Sequence, residues 1–154
     1  MEILYQIDDI EKLVKFYPDK NSEIRWLKLP EDLYAVYLFR KDKVPDMIFE
    51  EDKLNYFFEK MYEDGCIYCA LFVNELIVAS AAVEKYSNHK WETADVRVLK
   101  SERNKGYAKQ ICYFITKFIL ESGYTATCRT EEDNIAMQKV IHALGFARCD
   151  RILK

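Results

Sequence analysis

The stretch from Asp95 to Gly123, DVRVLKSERNKGYAKQICYFITKFILESG, constrains this chain most. It reads as a strand ending at Val98 or Leu99, a charged turn, the run Arg103-Asn-Lys-Gly106-Tyr-Ala108, and a helix closed by Gly123. A strand that feeds a turn with a glycine and a small residue at the mouth of a helix gathers several backbone N–H groups that helix geometry leaves unpaired. The helix dipole adds partial positive charge at the same point. Such a concavity suits a phosphate, and Gly106 and Ala108 leave room for one to approach the backbone. Lys100, Arg103, Lys105 and Lys109 add mobile cations around it.

A second run stands about thirty residues on: Asn134-Ile-Ala136, a short helical stretch, then Leu144-Gly145-Phe146. The first run, R-x-x-G-x-A after a strand, resembles the acyl-CoA pyrophosphate loop of the GNAT superfamily of N-acetyltransferases. The second resembles that superfamily's asparagine and leucine-glycine-phenylalanine motif. The two occur in the right order, with one helix and one strand between them, and cover residues 95–146. The resemblance implies an α/β (α+β) GNAT fold, a mixed, mostly antiparallel sheet of about six strands flanked by helices.

It also implies acetyl-CoA as co-substrate, without a metal. The pantetheine arm would lie in a V-shaped gap and pair with the backbone near Val98. The pyrophosphate would rest on Arg103, Asn104, Lys105, Gly106, Tyr107 and Ala108, with Asn134 holding the pantetheine or capping the last helix. The acetyl group would pass directly to a primary amine of a small molecule or peptide. In the histone-acetylating branch a strand glutamate serves as base, and Glu92 stands at the same spacing, eleven residues before Arg103. Its parity matches Val98, so the two share a face unless the strand bulges. Glu84 and Asp95 are the other carboxylates within reach. Many relatives carry a tyrosine seven residues after the motif asparagine as leaving-group acid, whereas this chain has Ile141. The neighbouring His142 is turned about 100° around the helix, which leaves Tyr107, Tyr113 or solvent to protonate the thiolate.

Residues 1–154 read as one domain, with 1–22 as an N-terminal extension. At this length a chain buries roughly 68–70% of its unfolded surface. Within the extension, Ile10, Leu13, Val14 and Tyr17 fall at helical spacing behind Asp8 or Asp9, which predicts a short extra helix, a packing or dimer-forming addition. Ile24–Leu29 reads as a strand, and Pro30 opens a helix through Phe39. A second helix follows at about 50–63, bearing Leu54, Phe57, Phe58 and Met61 on one side. Cys66–Val73 and Leu76–Lys85 form a hairpin about Asn74-Glu75, and Trp91–Leu99 continues the sheet. Tyr124–Arg129 and Ala147–Leu153 supply the last strands. The final edge is completed by the N-terminal stretch or a partner chain, unless the sheet simply ends there.

Charge and cysteine usage narrow the partners. With 23 basic and 26 acidic residues the net charge is −3, which gives no general argument for nucleic acid, and no nucleic-acid partner is expected. Five cysteines, an odd number without a leader pattern, point to the reducing cytoplasm. Cys66-Ile-Tyr-Cys69 has no second pair to complete a metal site and reads as strand filler. No apolar run reaches the ~20 residues of a membrane helix. Tyr34, Tyr37, Phe57 and Tyr62 are candidates for an apolar acceptor cleft, while acidic residues of 50–63 and 131–133 would favour a cationic amine. A noncatalytic acyl-CoA-binding module with the same fold is the alternative reading, and Ile141 speaks for it.

Overall fold

A computed structural model describes residues 1–17 and 20–149. Strands β1 (Glu2–Ile7), β2 (Ser22–Trp26), β3 (Cys66–Val73), β4 (Leu76–Glu84), β5 (Lys90–Val98), β6 (Thr125–Glu131) and β7 (Ala147–Arg148) form one sheet in the order β2-β3-β4-β5-β6-β1-β7. Helices α1 (Leu33–Arg40), α2 (Glu51–Glu63), α3 (Tyr107–Glu121) and α4 (Ile135–Ala143) complete the chain. Every neighbouring pair is antiparallel except β5 and β6, which run parallel. The sheet therefore has seven strands among the described residues, not about six.

Two apolar layers sandwich the sheet. On one face, α3 sends Ile111, Ile115 and Ile119 onto Cys69, Leu71, Ala81 and Val83, and Ile141, Leu144 and Phe146 close the same core. On the other, Leu33 and Val36 of α1 and Leu54 and Phe58 of α2 cover Tyr68, Ala70, Phe72 and Ala82. Alternation along β3 and β4 serves both layers, so these central strands read as nearly continuous apolar runs.

The extra N-terminal helix does not form. One 3-10 turn, Ile10–Lys12, follows β1, with Asp9 accepting from Glu11 N–H as cap. Of the four residues at helical spacing only Leu13 is buried, and Val14 donates its N–H to Leu144 C=O, so the segment lies extended across α4's end. β1 instead completes the sheet beside β6, burying Ile3, Tyr5 and Ile7. The helix expected from Pro30 begins at Leu33, and the Asp32 carboxylate at its N-cap makes no capping bond, being committed elsewhere. It takes two bonds from the Arg25 guanidinium, 2.6 and 2.9 Å, and a third from Lys28 N–H, 2.6 Å. The hairpin turn is as expected, with Asn74 and Glu75 both at positive φ. Residues 150–153 of the expected last strand lie outside the described residues.

All five cysteines are free, and burial pushes the thiols of Cys69 and Cys128 up to about 12. Among the described residues no helix is long and apolar enough to cross a membrane, and no cluster of His, Cys, Asp or Glu could hold a metal ion.

Candidate functional site

β5 and β6 pair only at Lys90–Glu92 with Thr125–Thr127, and beyond Glu92 the strands diverge. One edge of residues 93–98 is thereby left without a β6 partner, and buried backbone groups need partners. On its other side β5 stays on β4, with one interruption. Ala82 faces Ala94 and Ser80 faces Arg97, so Asp95 and Val96 together oppose Ala81. Asp95 has a φ of 52°, the signature of a bulge. An extra residue reverses alternation: Val98 packs toward the α3 layer, while Glu92, paired with Glu84 and flanking Ala94, belongs to the face of α1 and α2. The shared face expected from parity is therefore broken by the bulge.

The divergence opens a cleft of about 990 Å³. Its walls include Val96 and Val98 of β5, Arg103, Asn104, Gly106 and Ala108 of the turn, and Asn134, Ala136 and Val140 of α4. Asn104 and Gly106 both take positive φ, 65° and 84°. Gln110 N–H is the first of α3 to close a helical bond, to Gly106 C=O, so the N–H groups of Tyr107, Ala108 and Lys109 precede the ladder. A Cβ at Gly106 would meet nothing within 4 Å, which means its backbone faces open space. This end of the cleft is a concave cluster of donors under a helix dipole, ready for an anion.

Of the turn residues predicted from sequence, Lys105 and Tyr107 stand apart from the cleft wall. Lys105 folds back onto Glu102, 2.6 Å, and Tyr107 packs against the α3 core. Asn134 caps α4, its Oδ1 accepting from Met137 N–H at 3.2 Å, and it also lines the cleft. Leu144-Gly145-Phe146 is structural: Leu144 and Phe146 are buried, and a Cβ on Gly145 would collide with the Lys12 carbonyl.

Glu92 stands at the closed end of the divergence, level with its last β6 partner, Thr127. It is 9% exposed. Thr127 Oγ1 donates to its Oε1 at 3.3 Å, Arg129 Nε lies 3.4 Å from the same oxygen, and Tyr86 Oη reaches Thr127 Oγ1 at 3.0 Å. Burial raises its pKa above the ordinary carboxylate value, with Arg129 and Thr127 opposing. It does not form part of the cleft wall in this conformation. Ile141 is 1% exposed within the core and offers no O–H. Tyr113 packs on Phe16, and His142 is exposed at the end of α4.

Sequence reasoning placed Tyr34 and Tyr37 of α1 toward the acceptor but missed the end of that helix. Phe39 and Arg40 of α1, with Asp42 and Lys43 just after it, line the cleft opposite the turn, and Asp42 Oδ2 accepts Lys100 N–H at 2.9 Å, tying the segment after α1 to the start of the turn. Tyr37 and Phe57 border a groove between α1 and α2, whereas Tyr34 and Tyr62 are largely exposed. The acidic residues of 131–133 lie outside the cleft, and Glu131 and Glu132 pair with the N-terminal ammonium.

The model of the Acetyltransferase (GNAT) family matches residues 13–146. Among solved structures, a GNAT-family acetyltransferase from Colwellia psychrerythraea is similar at TM-score 0.71 and 22% identity, over 96% of this chain and 52% of that one. This chain thus spans about half the length of that relative. AAC(6')-Iy, in complex with the bisubstrate analog CoA-S-monomethyl-acetylneamine, matches at TM-score 0.67 and 22% identity over 86% of this chain and 95% of its own. A structure of yncA, a putative acetyltransferase from Salmonella typhimurium, with its cofactor acetyl-CoA, matches at 0.65 and 17% identity over 83% and 80%. No curated protein matches the chain. The motif order, the parallel pair that opens beside a glycine turn, and a family model over most of its length make this chain a member of the GNAT acetyltransferase family.

Proposed function

We propose that this protein transfers an acetyl group from acetyl-CoA directly to a primary amine. The observation that carries the reading is the cleft itself: a strand edge left unpaired at residues 93–98, continuous with the donor cluster at Gly106. The amides of a pantetheine arm would pair with the backbone near Val98. Its pyrophosphate would rest on the turn from Arg103 through Gly106 to Ala108, with Asn134 donating from the far wall. Backbone donors already in position do not reorganise as charge develops, which is the economy of such a site. Lys105 and Tyr107 contribute through their N–H groups.

Glu92 is the base in this reading. A carboxylate whose pKa is raised by burial sits closer to operating pH and accepts a proton better. It would take the ammonium proton through a water, since it stands behind the cleft wall. The neutral amine then attacks the thioester carbonyl, the C–S bond breaks, CoA leaves as thiolate, and the new amide nitrogen releases its second proton to solvent. A thiol pKa of ~8.5 lets that thiolate leave and take a proton from solvent, with no side chain needed at Ile141. The buried, protonated thiols of Cys69, Cys112 and Cys128 favour direct transfer over a covalent cysteine intermediate.

The test is release of free CoA thiol with a broad panel of amines, alongside calorimetric titration with acetyl-CoA. Micromolar binding with turnover of at least one amine supports the reading. Binding without any turnover favours the second reading, a noncatalytic acyl-CoA-binding module, which the apolar, buried Ile141 supports.

A further inference from the structure

Helix α1 buries Leu33 and Val36, and Arg40 continues the same stripe at the i+7 and i+4 positions. A guanidinium occupies a place where helical spacing calls for an apolar residue. It lies over the rings of Phe57 and Phe58, 4.6 and 5.2 Å from their centroids, and burial lowers its pKa. Arg25 and Arg97 show what the neighbouring arginines on this face do: the first holds Asp32 with two bonds, and the exposed second holds Asp95 at 2.8 Å. The Arg40 guanidinium makes no ion pair or hydrogen bond among the described residues. Asp95, the carboxylate whose charge acts on it, is already engaged by Arg97 and by Tyr68 Oη, which donates at 2.9 Å.

Arg40 is half-buried, so its guanidinium gives up part of its hydration without gaining an anion, and two aromatic faces offset only part of that loss. The position of Arg40 suggests what completes it. Its side chain borders the main cleft, the small cavity beneath Tyr68 and Asp95, and the groove between α1 and α2. The sheet face it covers is the one that carries Glu92 and Asp95, opposite the α3 layer. One side of the groove is apolar, with Tyr37, Met47, Ile48 and Phe57, and its other charges, Lys53 and Glu50, are paired to each other.

We propose that Arg40 binds the acceptor, and that the amine acetylated here carries a carboxylate paired with the Arg40 guanidinium and an apolar side chain laid in the α1–α2 groove. This rests on the transferase reading above. A guanidinium fork matches a single planar carboxylate in two parallel bonds. A phosphate dianion would want more free donors than this groove holds. Amino acids with aromatic or large aliphatic side chains are the substrate class that fits.

The experiment measures CoA thiol release by the full chain with acetyl-CoA and matched acceptors: phenylalanine, tyrosine, leucine and methionine, each against its carboxamide. The free acids are expected to exceed the amides at least tenfold in kcat/KM. Arg40→Gln should erase that preference and raise the acceptor KM while the acetyl-CoA KM stays unchanged, and Arg40→Lys should keep part of it. Amides used as well as acids, or an undiminished preference in Arg40→Gln, would overturn the assignment and leave acetyl transfer standing. A parallel loss of acetyl-CoA affinity in Arg40→Gln would give Arg40 to the cofactor and overturn it too. Acetyl-CoA binding with acetylation of none of these acids or amides would overturn this proposal, and the transferase reading would fall with it only where the broad amine panel also shows no turnover.

Discussion

Gly106 holds φ at 84° with open space where a side chain would begin. The consequence is specific to ligand binding: Gly106→Glu places a carboxylate among the donors that await an anion. Acetyl-CoA affinity is expected to fall at least a hundredfold by calorimetry, with the far-ultraviolet spectrum of the fold retained. The backbone strain of a side chain at positive φ costs about 1 kcal/mol and is survivable. Undiminished affinity would move the pyrophosphate elsewhere.

Glu92 poses the opposite problem, a carboxylate kept from water. Its folded-state pKa is raised, so the folded protein holds the proton more tightly than the unfolded chain. Stability therefore falls as pH rises from below the ordinary carboxylate value through the raised one. Glu92→Gln should remove that part of the pH dependence of unfolding and also lower turnover at neutral pH, with acetyl-CoA affinity kept. Turnover and a pH–rate profile like the parent's would remove Glu92 as base.

At the scale of elements, the entry to α1 is held by one side chain. Asp32 is nearly buried, and although burial works against its charge, Arg25 and the Lys28 N–H outweigh it and hold its pKa below the usual carboxylate value. Asp32→Ala leaves the Arg25 guanidinium without its main partner and should cost about 3 kcal/mol in urea unfolding. This stabilisation is present above the unfolded carboxylate pKa and is lost as pH falls through the depressed one. Because α1 carries Phe39 and Arg40 to the cleft, the same variant should weaken acceptor use before it weakens cofactor binding. The bulge at Asp95 acts at this scale too. It turns Arg97 and Asp95 toward α1 and Val98 toward α3, so one strand serves both sides of the site.

For the molecule as a whole, the cleft is the place where a ligand seen by the folded chain alone would show itself. At a hundredfold excess over Kd, acetyl-CoA adds ~2.7 kcal/mol to stability. For a chain of this size that corresponds to a rise in Tm of about 5–10 °C by scanning calorimetry. An unchanged Tm at that concentration would argue against a preformed cofactor site.

Much was legible in the chain because it is local. The strand, turn and helix about Gly106, the cap at Asn134, and the α2 stripe depend on neighbours within a few residues. So does the two-residue length of the Asn74-Glu75 hairpin, though the positive φ of both residues was visible only in the structure. What sequence could not deliver came from contacts made across the fold. The N-terminal periodicity promised a helix, but burial of Ile3, Tyr5 and Ile7 beside β6 and the grip of Leu144 on Val14 decided against it. The parity of Glu92 and Val98 was sound arithmetic undone by one extra residue, because a bulge is fixed by the partner strand. Arg40 did leave a trace, a charged residue on an apolar stripe, yet its meaning appeared only when Phe57, Phe58, Asp95 and Arg97 closed around it. Local geometry, written in dihedral preference and hydrophobic period, belonged to the sequence. Which faces met, which charges found partners and which was left waiting were settled by tertiary packing, since those energies exist only between residues far apart along the chain.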